Sequence, residues 1–443
     1  MSAIDTESGE MWGAETRKAV ENFPVSGERV PVPVVRWLGR IKAAAARANA
    51  ELGLLDAGIA ERIAAAGDAV ARGEHDDQFP IDVFQTGSGT SSNMNTNEVL
   101  ANIAGEGAHP NDHVNMGQSS NDVFPSAVHL AALSEATERL LPALALLERS
   151  LAAKAGEFAD VVKAGRTHLM DAVPVTLGQE FAGYAAQIRL AQDRVKAALP
   201  RVGQIPLGGT ATGTGLNTHP EFARKVRAQL AEATGLAVEA PLDAFEAQAS
   251  RDALVELSGA LKVTAVSLTK IANDLALMGS GPRAGLGELL LPELQKGSSI
   301  MPGKVNPVIP EVVLQVAAQV IGNDAAITVG GMQGQFELNV RIPLIARNLL
   351  GSITILSSAS TLLAEKCVDG IEANEEMCTR HAESTPAIAT ALNPHIGYDR
   401  ATEIVKEAVA SRRTIREVAR EKGVDEETLD RALDLQKMAR PHG

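Results

Sequence analysis

The sequence predicts a mainly α-helical protein: a long central helix bundle with smaller N-terminal and C-terminal helical domains. Of its 443 residues 45% are hydrophobic but only 3% aromatic, so the core must come from Ala, Leu, Val and Ile, a composition that favours closely packed helices. Apolar residues recur three and four apart along much of the chain, which is the helical period. The clearest case is Leu254, Leu257, Leu261, Thr264, Leu268, Ile271 and Leu275, a heptad stripe. The chain is long enough for two or three domains, and the expected division is 1–118, 119–370 and 371–443.

In chain order, residues 1–13 are polar, and helices are expected over 16–23, 34–50 and 59–73, the last closed by Gly73. A helical pattern from Ser126 to Ala159 carries Pro142, a kink or a fresh start. Residues 165–171 read as a polar turn between two helices. Further helices are expected over 178–199, closed by Pro200, and over 220–234, closed by Gly235. One continuous helix is expected from Asp243 to Met278, which would span about 50 Å at about 1.5 Å per residue, a length suited to a multi-chain bundle. Two apolar helices follow near 309–326 and 344–365. In the charged tail, Thr414 and Glu417 have capping-box spacing and Asp425 can cap the last helix.

Composition also excludes some functions. A formal charge of −14 and a pI near 5.2 argue against a nucleic-acid surface, which needs clustered Lys and Arg. Cys367 and Cys378 are too few for a disulfide framework and lack metal-site spacing, which fits a reducing cytoplasm. The first 30 residues lack the basic start and apolar block of a secretory signal. The longest charge-free candidate for a membrane span, Asn348 to Ala364, is too short to cross a membrane and reads as a buried bundle helix.

The chemistry lies in the loops. Residues 297–311 (GSSIMPGKVNPVIPE) break two apolar helices and offer two hydroxyls, a cation, an amide and glycine-rich backbone. Such groups bind a carboxylate and stabilise developing negative charge. A nucleotide P-loop does not fit, because five residues separate the glycines and Val305 replaces the metal-holding hydroxyl. An ordinary interhelical loop is the plainer alternative. Thr86 to Glu98 is either a helix cap able to hold an anion or a flexible turn. His109 and His113 are four apart, but Pro110, Asn111 and Asp112 make that stretch a turn, not a zinc helix. His168 stands alone in its turn, and a lone histidine is ordinarily structural. Leu207 to Asn217 lacks dinucleotide-binding glycine spacing and a preceding strand.

The run from Gly297 to Pro307 resembles the signature loop of the fumarase/aspartase superfamily. The blocks Thr86–Thr90, Asn93–Glu98, His109–Asp112, Ser119–Asn121, Gly165–His168 and Leu392–Tyr398 are similar to those of class II fumarases, so the likeness covers nearly the whole chain. It implies that Ser298 removes the proton beside a carboxylate and that His168, through a water, completes the acid/base pair with Glu311 polarising it. It further implies that Ser88, Thr90, Ser119, Ser120, Asn121, Thr167, Ser299, Lys304 and Asn306 line the site of a small dicarboxylate. His109, Pro110, Asn111 and Asp112 resemble a secondary carboxylate site. The likeness also implies a homotetramer with a 20-helix core, sites shared by three chains, and no metal or other cofactor.

The chemistry suits these residue types. Proton removal beside a carboxylate makes a doubly charged aci-carboxylate that needs preorganised donors and a cation. Serine is a poor base in water and needs its alkoxide stabilised. The departing hydroxyl needs an acid near neutral pKa, which suits histidine. The serine loop is common to fumarases and aspartases. His109–Asp112, Leu207–Thr210 and Gly330–Asn339 resemble fumarases; Met116–Gln118 and Arg283–Glu288 look more like aspartases. The expected reaction is hydration of fumarate to (S)-malate, with aspartate ammonia-lyase as the alternative. A non-catalytic relative should have lost Ser298, His168 or Lys304, and all three are present. Two segments are shorter than the family pattern, around Glu10 to Trp12 and from Ala101 to Ala108, which bears on the N-terminal structure and the secondary site.

Overall fold

The computed structural model describes residues 9–440. In chain order the helices are α1 (Ala14–Asn22), α2 (Val32–Glu51), α3 (Ala57–Arg72), α4 (Thr90–Ala104), α5 (Ser120–Glu135) and α6 (Leu141–Glu157). A hairpin of β1 (Val162–Thr167) and β2 (Met170–Thr176) follows, then α7 (Leu177–Val202), α8 (Phe222–Thr234), α9 (Ala244–Ala249), α10 (Asp252–Met278), α11 (Val308–Gly331) and α12 (Ile342–Lys366). The tail adds α13 (Glu375–Ser384), α14 (Asn393–Ile396), α15 (Tyr398–Ser411), α16 (Ile415–Glu421), α17 (Glu426–Ala432) and α18 (Leu435–Met438).

The chain forms two compact units. The first comprises Met1–Pro142, Ala191–Ala265 and Val316–Ser357; the second comprises Ala143–Leu190, Val266–Gln315 and Ser358–Gly443. In the first, α2 and α3 cross where two glycines meet: a Cβ on Gly39 would lie 2.7 Å from Gly67 O, and one on Gly67 would lie 2.6 Å from Gly39 O. Backbones can approach that closely only without side chains. The alanines of α2, Ala43 to Ala46 and Ala48, complete this dense packing. In the second unit, Ile388, Leu392, Ile404, Ile415, Val418 and Leu429 form an apolar cluster under the tail helices.

Every residue of the heptad stripe on α10 is buried. The helix itself is shorter than expected. Asp243 caps α9, the chain turns extended at Ser250, and α10 starts afresh at Asp252, leaving 27 residues or about 40 Å. The break seats Arg251, 1% exposed, with its Nη1 against His129 Nε2 at 3.2 Å. Pro200 does not close α7 but lies inside it, near the end. Residues 165–171 are not a turn between helices but the tip of the β1–β2 hairpin. Pro142 lies at the start of α6, after a π-helical turn over Ala136–Leu140, and the segment before it is helical from Ser120.

Helices α11 and α12 run 24 and 25 residues, longer than the sequence suggested and long and apolar enough to cross a membrane. Their polar contacts fit a bundle instead. Asp324, in mid α11, accepts from Ser258 Oγ at 2.7 Å and Lys262 Nζ at 2.6 Å, and Asn323 donates to Ser352 Oγ at 2.9 Å.

Candidate active site

Within the first unit, three polar segments converge. Gly89 at φ +77° turns the chain into α4, and Phe124 lies against the position its Cβ would take. Here Thr86–Glu98 is a helix start, not a flexible turn. Ser88 is buried, its Oγ 2.7 Å from Thr90 Oγ1. Ser119 caps α5 in a capping box: its Oγ accepts from Asn121 N at 3.2 Å while Asp122 Oδ1 accepts from Ser119 N at 2.9 Å. Asn93 Nδ2 joins the two helix starts by donating to Ser120 Oγ at 2.9 Å. Both N-termini present backbone N–H groups and positive dipole ends, which favours an anion.

The third segment is Leu207–Asn217. Asp122 Oδ2 accepts from Gly208 N at 3.0 Å and Thr210 N at 2.9 Å, and Asn121 Nδ2 donates to Ala211 O at 2.9 Å. Burial pushes the Asp122 carboxyl up to about 6, against the pull of its three backbone N–H donors and the Lys42 charge. Asp122 was not among the expected site residues. Its signal was the Ser-x-x-Asp spacing of a capping box.

The His109–Asp112 stretch is a single π-helical turn, Pro110–Val114. His109 Nδ1 accepts from Asp112 N at 3.1 Å, and His113 Nδ1 accepts from His109 N at 3.0 Å, so both imidazoles are turned to local backbone; Asn111 and Asp112 are exposed.

The second unit holds the other expected residues. His168 and Leu169 occupy the two-residue tip of the hairpin at φ 55° and 61°, a pair of left-handed residues as in a type I′ turn. Thr167 and His168 are exposed. Behind the tip, fully buried Glu288 accepts from Arg166 Nη2 at 2.7 Å and Nη1 at 3.1 Å, lies 3.3 Å from Lys163 Nζ, and contacts His381 Nδ1 at 2.9 Å. Burial alone would raise its pKa, but Arg166, Lys163 and His381 hold it below the usual carboxylate range. Of these groups Lys163 and Arg166 line part of a cavity of about 420 Å³ bounded also by Glu180, Tyr184, Lys270 and Asp274.

The serine loop closes on itself. Gly297 N donates to Lys304 O at 2.9 Å and Asn306 Nδ2 donates to Gly297 O at 2.7 Å, so the asparagine amide pins the neck of the loop. At its head, Ser298 Oγ accepts from Ile300 N at 3.2 Å and Met301 N at 3.1 Å. Ser299 and Lys304 are exposed, and Glu311 lies exposed in the first turn of α11. Among the described residues no hydrogen bond joins this loop to His168. Nor is any group of three or more His, Cys, Asp and Glu placed there to hold a metal ion.

The chain matches the family described as Lyase over residues 3–322 and the family described as Fumarase C C-terminus over 388–440. It is 56% identical to a class II fumarate hydratase of Corynebacterium efficiens over 99% of this chain and 95% of that one, and equally identical to one of Mycobacterium tuberculosis with the same coverage. The solved class II fumarase of Schistosoma mansoni superposes with a TM-score of 0.96 at 39% identity, covering 98% of this chain and 96% of that one. Helix order, the paired helix starts and the self-closed serine loop thus occur in a chain that belongs to the class II fumarate hydratases.

Proposed function

We propose that in this chain Ser298 is the base of the reversible hydration of fumarate to (S)-malate. The observation that carries the reading is the pair of backbone N–H groups donated to Ser298 Oγ, since donors placed on a hydroxyl oxygen stabilise its alkoxide. In the malate-to-fumarate direction Ser298 takes the proton beside one carboxylate, and the C–H electron pair passes into that carboxylate as the aci form. The electrons then return to form the double bond, and the hydroxyl leaves from the opposite face as water, taking its proton from a water held by His168 and polarised by Glu311. Lys304, Asn306, Ser299, Thr167, Ser88, Thr90, Ser119, Ser120 and Asn121 receive the two carboxylates. His109, Pro110, Asn111 and Asp112 form a secondary carboxylate site.

The working form is a homotetramer whose sites each draw on three chains. Supporting this, α11 leaves Val312, Ile321 and Val329 exposed on a helix whose most apolar stretch is only one-third buried, a face that a second copy of the chain suits. The two buried, unlinked thiols fit work in a reducing cytoplasm.

The test is ultraviolet absorbance of the conjugated dicarboxylate. Absorbance should rise with (S)-malate and stay flat with L-aspartate; a rise from aspartate alone would overturn the reading in favour of an ammonia-lyase. Ser298→Ala should abolish turnover while the assembly keeps its size, and near-normal turnover in that variant removes Ser298 from its role.

A further inference from the structure

Beneath the helix starts of the first unit lies a cation that the reaction as described does not use. Lys42 sits in the middle of α2, fully buried among apolar residues and alanines, and its Nζ donates to Asn115 Oδ1 at 2.8 Å. Among the described residues no carboxylate lies within ion-pair distance of it. Burial lowers its proton affinity to a pKa of about 7, opposed by the charge of Asp122. Of the elements packed on α2, namely α3, α4, α5, α8 and the 110–114 turn, only α5 presents a charge that acts on this ammonium, that of Asp122. An ammonium held in this way costs stability, because one neutral acceptor does not offset its desolvation.

The hydrogen bonds from Lys42 lead toward the dicarboxylate site. Because the ammonium can only donate, it fixes Asn115 with Oδ1 facing it and Nδ2 donating to Gln118 O at 3.2 Å. The same Oδ1 accepts from Asn93 Nδ2 at 3.2 Å, which sets the Asn93 amide, and Asn93 Nδ2 donates in turn to Ser120 Oγ at 2.9 Å. With its oxygen receiving that donor, Ser120 keeps its own O–H to donate elsewhere. Each link is a donor meeting an acceptor, and Lys42, whose ammonium has no acceptor, stands at the head of the relay. The Asn93 Oδ1 is buried without a partner, so the relay is held by its donors alone.

We propose that Lys42 is a positioning residue for the reaction, the buried positive charge that orients Ser120 as a donor and sets the affinity of the Ser119–Asn121 pocket for a dianion. The proposal rests on the reading that Ser119, Ser120 and Asn121 receive a substrate carboxylate. A dianion beside the pocket favours the charged form of Lys42, so binding draws a proton onto it when the pH is near or above 7.

The experiment compares the full-length enzyme with Lys42→Met, using fumarate as substrate and succinate as a non-reacting dicarboxylate. In the variant, KM for fumarate and Ki for succinate should rise about tenfold or more, with kcat changed less than KM. The variant's Tm should equal or exceed that of the parent, because a methionine of similar volume removes a buried charge. Succinate Ki of the parent should climb as pH rises through 7, and that limb should be absent in the variant. Unchanged KM and Ki, parallel pH curves, or a fall in Tm that tracks the loss of activity would each overturn the proposal. If Lys42→Met fails to assemble, Lys42→Gln is read in its place: it keeps a donor for Asn115 without the charge, and an unchanged Ki there would equally overturn the role. Ser120→Ala and Asn121→Ala separate the two readings. If neither raises KM, the pocket itself is misassigned; if both do and Lys42→Met does not, only the role of Lys42 falls.

Discussion

Glu288 and Arg166 form a buried, two-bonded ion pair two residues before His168. The hairpin tip beyond them is exposed and left-handed at both residues, so packing alone does not hold it in place. The pair is its anchor. Glu288→Ala would leave Arg166 and Lys163 without their shared carboxylate and should cost about 3–5 kcal/mol, with kcat falling more than KM changes. Glu288→Gln keeps an acceptor and should lose less of both. Thermal unfolding and steady-state kinetics on the two variants check this; wild-type kcat in a folded Glu288→Ala enzyme would rule out the anchoring role.

Gly89 has no tolerance for a side chain. At φ +77°, with Phe124 Cδ1 2.1 Å from where a Cβ would stand, Gly89→Ala meets both backbone strain and a ring that cannot move within a filled core. The expected loss is about 2–4 kcal/mol, together with a raised KM because the N-terminus of α4 is displaced. A melting curve and a fumarate titration measure the two effects.

Stability should depend on pH through Lys42. Its folded pKa of about 7 lies below its usual 10.5, so the unfolded chain holds the extra proton between those values. The parent should therefore gain stability as pH rises from 7 toward 10, by up to about 1.4 kcal/mol per pH unit. The difference between parent and Lys42→Met should be largest below pH 7 and shrink above it. Tm series for both proteins from pH 6 to 9.5 test the slope.

Cys367 and Cys378 are both buried, and burial pushes each thiol up to about 12. Neither is an available thiolate at neutral pH, so a thiol reagent such as dithionitrobenzoate should label the native enzyme at a negligible rate and label both sites once guanidinium unfolds it. Fast labelling of the native protein would contradict the packing around them.

Much of the helix pattern is legible in the sequence because its signals are local. Gly73 and Gly235 close α3 and α8 in the left-handed region, Thr414 with Glu417 forms a capping box, and Asp425 is a cap as expected, though of α17 and not of the last helix, since α18 follows with Asp434 as its cap. The hairpin is harder to see. A two-residue turn with two positive φ values ordinarily announces itself with Asn-Gly, and here the pair is His168-Leu169. The break before α10 escapes for another reason: Ala249, Ser250 and Arg251 fit a helix locally, and it is the tertiary seat of Arg251 against His129 that interrupts it. The candidate site shows the same division. Ser298, Lys304 and His168 stand in polar motifs that stand out from their surroundings, whereas Lys42 is one charge in an alanine-rich helix. Only the fold brings it to Asn115.

The residues assigned to the reaction are divided between the two units: Ser88, Thr90 and Ser119–Asn121 in the first, Thr167, His168 and Ser298–Glu311 in the second. If each site draws on several chains, as proposed above, this division has a genetic consequence. A Ser298→Ala copy is sound in its first unit, and an Asn121→Ala copy is sound in its second. Co-expressed in one cell, two alleles that are each dead alone can build some sites from sound parts of both, so recessive lesions in this gene should sort into two complementing groups.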